Sequence, residues 1–386
     1  MKLAIIPGIF FPSPGGAQVQ VHNICNKLTD LNLDVDCYIY NKTGISNNKY
    51  EIKLISKFLT SLVFFFEYYL NINLKFILKI YLKKIIKKNK YKIFHFIFLN
   101  YKSLIIIDCL KEINQKVIVT FQGADIQIDK NINYGFRLDK KYDVYLKKII
   151  NKIDHFFYIS KTVKEDLVNL KIEENKMSFS PNSVEIQKFK KITKKKITKK
   201  KINFITVARY APQKKGYDIL INISEKLLKR NIEFEWKIIG KDTSNLSKVD
   251  IIKNNQSHFK IIENIENNDE TYFPHSDLIT HYVNSDLYIN LSRIESFGIT
   301  FIEALASNIP IITFNTKGVN EIVKNNINGF ILDNEDQLLE KIIDVYNNRE
   351  LLNDMENNLL ETAKIYDLNL ATKKIIDSYN NIYNKI

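Results

Sequence analysis

The sequence predicts an α/β protein built from two doubly wound parallel-sheet domains. Three observations carry that expectation. Apolar, β-rich runs alternate with helix-period segments along the chain, the pattern of parallel strands covered by crossover helices. At 386 residues the chain is long for one domain and sufficient for two, each with its own core. Between the halves lies KFKKITKKKITKKK (188–201), nine lysines in fourteen residues, which cannot form a core and reads as an exposed linker.

In the N-terminal half the runs 2–6, 33–40, 92–98, 116–121 and 155–159 carry strand patterns, with helical segments at 17–31 and 104–113 between them. After the linker, strands are expected at 202–208, 234–239, 259–262, 286–290, 311–314 and 330–332, with a helix starting at Tyr217. A short helix is expected over 299–307, and the tail 368–386 is helical in pattern. Ligands of such sheets bind beyond the carboxyl ends of the strands, so a cleft between the domains is the expected active site.

The formal net charge of +14 admits nucleic acid, an anionic membrane surface or a phosphorylated substrate as partner, and a Lys, Asn and Ile codon bias accounts for such an excess equally well. No zinc-finger spacing, RNP-like strand or helix-turn-helix signal is present, so nucleic acid is not expected. The cysteines Cys25, Cys37 and Cys109 form no C-x-x-C, which predicts a reduced, cytoplasmic protein without disulfide or zinc. MKLAIIPGIF, cut by Pro7 and Gly8, reads as a first strand and not as an export signal. The apolar stretch 54–70 is interrupted by Lys57 and Glu67 and is shorter than the roughly 20 residues of a spanning helix.

Segment 73–91 places Leu74, Ile77, Leu78, Tyr81, Leu82, Ile85 and Ile86 at helical spacing, with Lys75, Lys79, Lys83 and Lys87 on other faces. Across 52–93 ten lysines stand against Glu67 alone. Two readings remain open: an amphipathic surface resting on anionic lipid, peripheral on the inner face of the cytoplasmic membrane, or an apolar stripe packed on the N-terminal sheet. His95 and His155 sit in apolar strands and read as satisfied core or cleft-edge residues, and Asp34 and Asp36, on one strand face, as solvated acids.

The most informative stretch is SRIESFGITFIEALASNIPII (292–312). Gly298 loosens a turn before the helix, whose unpaired N–H groups and partial positive charge suit a diphosphate. Glu295 then stands at the mouth of that anion site. Glu303, just over a turn into the helix, offers an acceptor to paired hydroxyls such as those of a ribose.

This segment resembles the signature of glycosyltransferase family four, the retaining GT-B enzymes, through Ser292, Arg293, Glu295, Phe297, Gly298, Glu303, Ala304, Ala306 and Pro310. Asn308 stands where the family usually has glycine, and asparagine is the next best residue for a left-handed helix cap. The resemblance extends to VARYAPQKKG, where Arg209 and Lys215 match the family's pair of diphosphate-binding cations, with Lys214 as a one-residue alternative. It also covers Gly15 and Gly16 before the first helix, and Gly240, Gly318 and Glu321 downstream. At TFQGAD (120–125) the family histidine that touches the donor sugar is replaced by Gln122, which leaves Asp125 as a candidate polar contact. Asn182 matches a family Pro-Asn motif, with Ser183 and Glu185 departing from it.

The resemblance implies a GT-B fold with an acceptor-side domain over 1–188, the linker at 189–201, a nucleotide-sugar domain over 202–365 and a helix, 366–386, that crosses back to the first domain. It implies a retaining, metal-independent glycosyltransferase that uses no cofactor and moves a hexosyl-type sugar from a nucleoside-diphosphate donor to a lipid-linked or envelope saccharide. Glu295, Arg209 and Lys215 would be catalytic. Gly15, Gly16, Gln122, Gly240, Ser296, Phe297, Gly298, Ile299 and Glu303 would bind the donor. A sugar-nucleotide epimerase of the same fold and a non-catalytic basic membrane-docking protein remain as alternatives.

Overall fold

The computed structural model describes residues 1–11, 15–45, 47–192, 201–265 and 270–384. They fall into two compact units, Met1–Asn182 with Leu368–Ile386, and Ser183–Asp367.

Unit 1 runs β1 (Lys2–Pro7), α1 (Gly16–Asp30), β2 (Asp34–Ile39), β3 (Glu51–Leu54), α2 (Lys57–Leu70), α3 (Lys75–Asn89), β4 (Ile93–Ile97), α4 (Tyr101–Glu112), β5 (Val117–Phe121), α5 (Lys140–Ile149), β6 (His155–Tyr158), α6 (Lys161–Asn169) and β7 (Met177–Phe179). The strands form one parallel sheet in the order β3-β2-β1-β4-β5-β6-β7. β4 and β5 are buried at every position, as strands covered on both faces must be.

Unit 2 runs α7 (Ile186–Lys190), β8 (Ile202–Val207), α8 (Pro212–Lys215), α9 (Tyr217–Lys229), β9 (Phe234–Ile239), α10 (Asp250–Asn254), β10 (Phe259–Ile262), α11 (Ser276–Val283), β11 (Leu287–Asn290), α12 (Ile299–Ala306), β12 (Ile311–Phe314), β13 (Gly329–Leu332), α13 (Glu335–Asn347), α14 (Glu350–Asn353) and α15 (Glu356–Lys364). Its parallel sheet has the order β10-β9-β8-β11-β12-β13.

The final helix, α16 (Leu368–Asn384), belongs to unit 1 and packs on α1. Its Tyr379 hydroxyl lies 2.6 Å from His95 Nδ1, while His95 Nε2 lies 2.7 Å from Thr120 Oγ1. Burial, with His155 nearby, drives His95 down to about 3, so it is a neutral, satisfied core group.

By packing, the division between the compact units falls after Asn182. Val184 bridges to Asp367, Ile186 and Phe189 are buried, and Lys188 pairs with Glu270 at 2.6 Å, all within unit 2. The start of the predicted linker is therefore helix and core, and its lysine-rich centre, 193–200, lies outside the described residues.

One surface expectation needs correction, and the structure adds detail to another. Asp34 is exposed, but Asp36 is fully buried and accepts from Tyr91 and from Lys53 Nζ at 2.5 Å. The strand alternation was right about the shared face and silent on its cover. In α3, Leu78 and Leu82 are buried and the helix packs against α4, while Leu74, Ile77, Tyr81, Ile85 and Ile86 are half-buried, so the apolar stripe is only partly core. Lys75 is buried between Asp108 and Glu112, at 2.7 and 2.9 Å, and Lys79 reaches Glu112 at 2.8 Å. What α2 and α3 leave exposed is a different set: Phe58, Phe65, Tyr69, Leu70, Ile72, Phe76 and Ile80. Among the described residues no helix is long and apolar enough to cross a membrane.

Candidate functional site

The strand order of unit 2 reverses between β8 and β11, the switch point where open parallel sheets bind ligands. The segments leaving these two strands carry most of the predicted site. β8 runs into Arg209, whose exposed side chain has no ion pair among the described residues. The single turn of α8 then ends at Gly216, with φ of +66°. A Cβ there would stand 2.1 Å from the Leu291 carbonyl oxygen, so glycine alone lets this turn close on the segment leaving β11.

Arg293 staples the closure from the other side. Its Nη1 and Nη2 donate to Asp218 at 2.9 and 2.5 Å, Nη1 also reaches the Gln213 carbonyl at 2.8 Å, and its N–H meets the Lys214 carbonyl at 3.0 Å. The result is that Lys215 Nζ lies 2.5 Å from Glu295 Oε1 and 3.3 Å from Ser292 Oγ. Burial alone would raise the Glu295 carboxyl, but Lys215 outweighs it and holds the group below the ordinary range. Lys214 is pushed down to about 8 by burial, with the neighbouring Lys215 and Arg209 charges adding to the effect. Lys215, not Lys214, makes the contact with Glu295.

Gly240, at the end of β9, has φ of +149°, and a Cβ there would lie 2.2 Å from the Ala208 carbonyl oxygen. Its smallness packs the β9 loop against the backbone next to Arg209. On the far side, Gly318 in the loop after β12 presses on the Glu295 carbonyl.

α12 starts after Gly298 without a side-chain cap; the Phe301 N–H turns back to the Gly298 carbonyl at 3.0 Å, which leaves the Ile299 and Thr300 N–H groups at the positive dipole end open. Glu303 on this helix is only 5% exposed, and its Oε2 accepts from Tyr282 at 2.9 Å. Burial pushes the carboxyl up to about 7 against the opposing Tyr282 bond. Its other oxygen has no hydrogen-bond partner among the described residues. At the far end Asn308 takes a left-handed φ of +59°, with Ile309 N–H on the Ala304 carbonyl and Asn308 N–H on the Leu305 carbonyl, each at 3.0 Å. That closure is what the family's glycine would supply.

Phe297 is buried edge-on against Tyr366, and Ile299 is buried too, so these two offer backbone and not side chain to a ligand. Ser296 is half-buried. Arg209, Lys215, Gly240, Glu295, Ser296, Gly298, Ile299 and Glu303 thus gather at one sheet end of unit 2. Gly15 and Gly16, at the start of α1, and Gln122, after β5, belong to the carboxyl end of the unit 1 sheet. Gln122 is buried and exchanges hydrogen bonds with Asn182 at 3.1 and 2.9 Å. Asp125 is no exposed polar contact: it is fully buried and accepts from the N–H groups of Leu99, Gln122 and Gly123 at 3.0, 2.9 and 2.9 Å. Among the described residues no group of His, Cys, Asp or Glu is placed to hold a metal. Tyr282 and Asp218 were not expected at the site. Tyr282 lies 21 positions from Glu303 and Asp218 lies 75 from Arg293, beyond any local spacing signal.

The sequence model for glycosyltransferase family 4 matches residues 14–188, and that for glycosyl transferases group 1 matches residues 187–361. An uncharacterized glycosyltransferase of Methanocaldococcus jannaschii is 25% identical over 99% of this chain and 98% of its own. An uncharacterized 41.2 kDa protein in the cps region of Klebsiella pneumoniae is 23% identical over 78% of this chain and 80% of its own. Among solved structures, Anabaena HepE in complex with UDP aligns over 99% of this chain and 100% of its own, with a TM-score of 0.76 at 13% identity. That likeness and the two parallel sheets establish the GT-B fold. With the two family models spanning nearly its whole length, the chain belongs to the group 1 glycosyltransferases of family four.

Proposed function

We propose that the chain transfers a sugar from a nucleoside-diphosphate donor to a lipid-linked or cell-envelope saccharide, with retention of configuration and without metal or other cofactor. The observation that carries this reading is the Lys215–Glu295 pair at the switch point of unit 2, with Arg209 and Glu303 beside it. Lys215 and Arg209 would hold the diphosphate and stabilise the charge that develops on it as the glycosidic bond breaks, a role worth several kcal/mol in a dry site. The open N-terminus of α12 adds to that field. The unpartnered oxygen of Glu303 would accept from a ribose hydroxyl, and Glu295 with the backbone after it would hold the donor sugar. The departing phosphate oxygen then takes the acceptor proton on the face it leaves, which gives retention and requires no side-chain base at Gln122.

HepE carries UDP, which supports a nucleoside-diphosphate donor, and the Klebsiella relative's place in a cps region fits an envelope polysaccharide. The exposed Phe58, Phe65 and Tyr69, at i, i+7 and i+11 on α2, with Phe76 and Ile80 on α3 and the exposed Lys83 and Lys87, form an apolar and cationic surface. That chemistry matches anionic lipid and would seat the enzyme on the inner face of the cytoplasmic membrane.

Incubation with radiolabelled UDP-glucose, UDP-galactose and UDP-N-acetylglucosamine plus envelope lipid extract tests the reading. UDP release with label moving into the lipid fraction, in EDTA as in its absence, is expected for one donor. Epimerised donor without transfer, or activity lost in EDTA and restored by manganese, contradicts it.

A further inference from the structure

A second site lies within unit 1, at the carboxyl end of its sheet. Here a cavity of about 660 Å³ opens between α2, α4 and the start of α5, inside the range of about 300–1,000 Å³ usual for small-molecule sites. Its wall is aromatic. Phe64 and Tyr68 of α2 pack on Tyr101 of α4 with ring centroids 5.4 and 4.9 Å apart, and Phe136 packs on Tyr142 at 5.8 Å. Such interlocked rings give a rigid apolar surface, with the Tyr68 hydroxyl donating to Asp139 and the Tyr142 hydroxyl to the Asp125 carbonyl.

Two cations stand at this wall. Lys102 Nζ donates to Ser61 Oγ at 2.7 Å and lies 5.7 and 5.8 Å from the ring centroids of Tyr40 and Phe64. Lys57 Nζ donates to Asn41 Oδ1 at 3.1 Å. Neither ammonium has a carboxylate partner among the described residues. Burial, with Lys57 nearby, holds Lys102 below the ordinary lysine range. Asp139 also lines the cavity, but its oxygens are committed to the Tyr68 hydroxyl at 2.7 Å and the Lys141 N–H at 2.9 Å. The cavity therefore combines flat apolar walls with two ammonium groups, Lys57 and Lys102, against the single carboxylate of Asp139, an excess of positive charge. An uncharged sugar would leave that charge unmatched, and a bare anion would leave the wall empty.

We infer that this cavity binds a phosphate-bearing saccharide, the sugar ring against the Tyr68–Tyr101 wall and the phosphate between Lys57 and Lys102. On the transferase reading above, this ligand is the acceptor. The outward face of α2, with Phe58 and Phe65 exposed, then turns toward the lipid that carries the phosphate.

Calorimetry with glucose, galactose and N-acetylglucosamine 1-phosphates, the matching methyl glycosides and inorganic phosphate tests the site, with saturating UDP present to occupy a donor site. At least one sugar phosphate should bind about tenfold or more tightly than its methyl glycoside and than phosphate. The double variant Lys57→Gln/Lys102→Gln should weaken it about tenfold or more, and Tyr69→Ala, at an exposed wall position, should weaken it with the charges intact. Unchanged melting temperature and UDP affinity show that the variants are folded. The inference is overturned if no sugar phosphate binds, if inorganic phosphate binds as well, if UDP displaces the ligand, or if the variants bind like wild type. Failure of UDP itself to bind wild type overturns the donor reading separately, while the sugar-phosphate titration still reports on the cavity.

Discussion

Lys215 Nζ lies 2.5 Å from Glu295 Oε1, so the cation assigned to the donor diphosphate is held in place by the acid assigned to the donor sugar. In the free protein each neutralises the other in a largely buried setting. Removing either leaves an uncompensated charge there.

Lys215→Ala is therefore expected to lower turnover by about 10²-fold or more. Lys215 and Glu295 act as a unit, so the double variant Lys215→Ala/Glu295→Gln should be scarcely worse than the more damaging single. Steady-state kinetics of the three variants check this. Multiplicative losses would show that the two residues work independently.

Arg293 touches no proposed ligand position, yet it fixes the turn that carries Lys215. Arg293→Ala should lower kcat/KM about tenfold, and Asp218→Asn should reproduce part of that loss. Arg293→Lys should rescue little, because one ammonium cannot reproduce the two-pronged bond to Asp218. Full activity of Arg293→Lys would remove the fork from the account.

Much of the fold was legible because parallel strands buried on both faces read as unbroken apolar runs, as in IFHFI and VIVTF. The edge strands β3 and β7 escaped, since four residues with none buried and three with only Met177 buried carry no such signal. At the site, Glu295, Glu303, Arg209 and Lys215 stood out through motif spacing. Tyr282 did not, because its bond to Glu303 exists only once α11 packs beside α12. Lys75 misled for the same reason: helical spacing placed it off the apolar stripe, and only tertiary packing supplies the acids Asp108 and Glu112 that bury it.

His95 gives a pH prediction for unit 1. Its folded value near 3 lies below the ordinary histidine value of about 6.5, so the unfolded chain binds the extra proton between them. Its contribution to stability is present above pH about 6.5 and is lost as pH falls toward 3. Asp125, raised to about 7 by burial, acts oppositely: its contribution is lost as pH rises through that value. Comparing denaturant midpoints of wild type and His95→Gln from pH 7 to 4 isolates the histidine. The variant should lose less stability on acidification, and parallel curves would contradict this.

On the membrane side, Phe58→Ser, Phe65→Ser and Phe76→Ser together should weaken binding to anionic vesicles more than tenfold, since burying one phenylalanine contributes about 1.5–3 kcal/mol. High salt should weaken it further through screening of the lysines. Lys79→Gln should matter little, because Lys79 is engaged by Glu112. Equal sedimentation of wild type and the triple variant with anionic vesicles would show that these side chains do not meet lipid.

The most direct measurement is calorimetry of UDP binding to wild type and Glu303→Gln between pH 6 and 8. Glu303 accepts a ribose hydroxyl best as a carboxylate, and burial has raised it to about 7, so it must shed a proton in this window. Wild-type affinity should therefore rise with pH by more than that of Glu303→Gln, whose own curve reports the titration of the nucleotide and of Lys214, common to both proteins. At pH 8 the variant should bind UDP more weakly by about 1–3 kcal/mol, the worth of a hydrogen bond to a charged group. Identical affinities and identical pH profiles for the two proteins would contradict the placement of the donor nucleotide at Glu303.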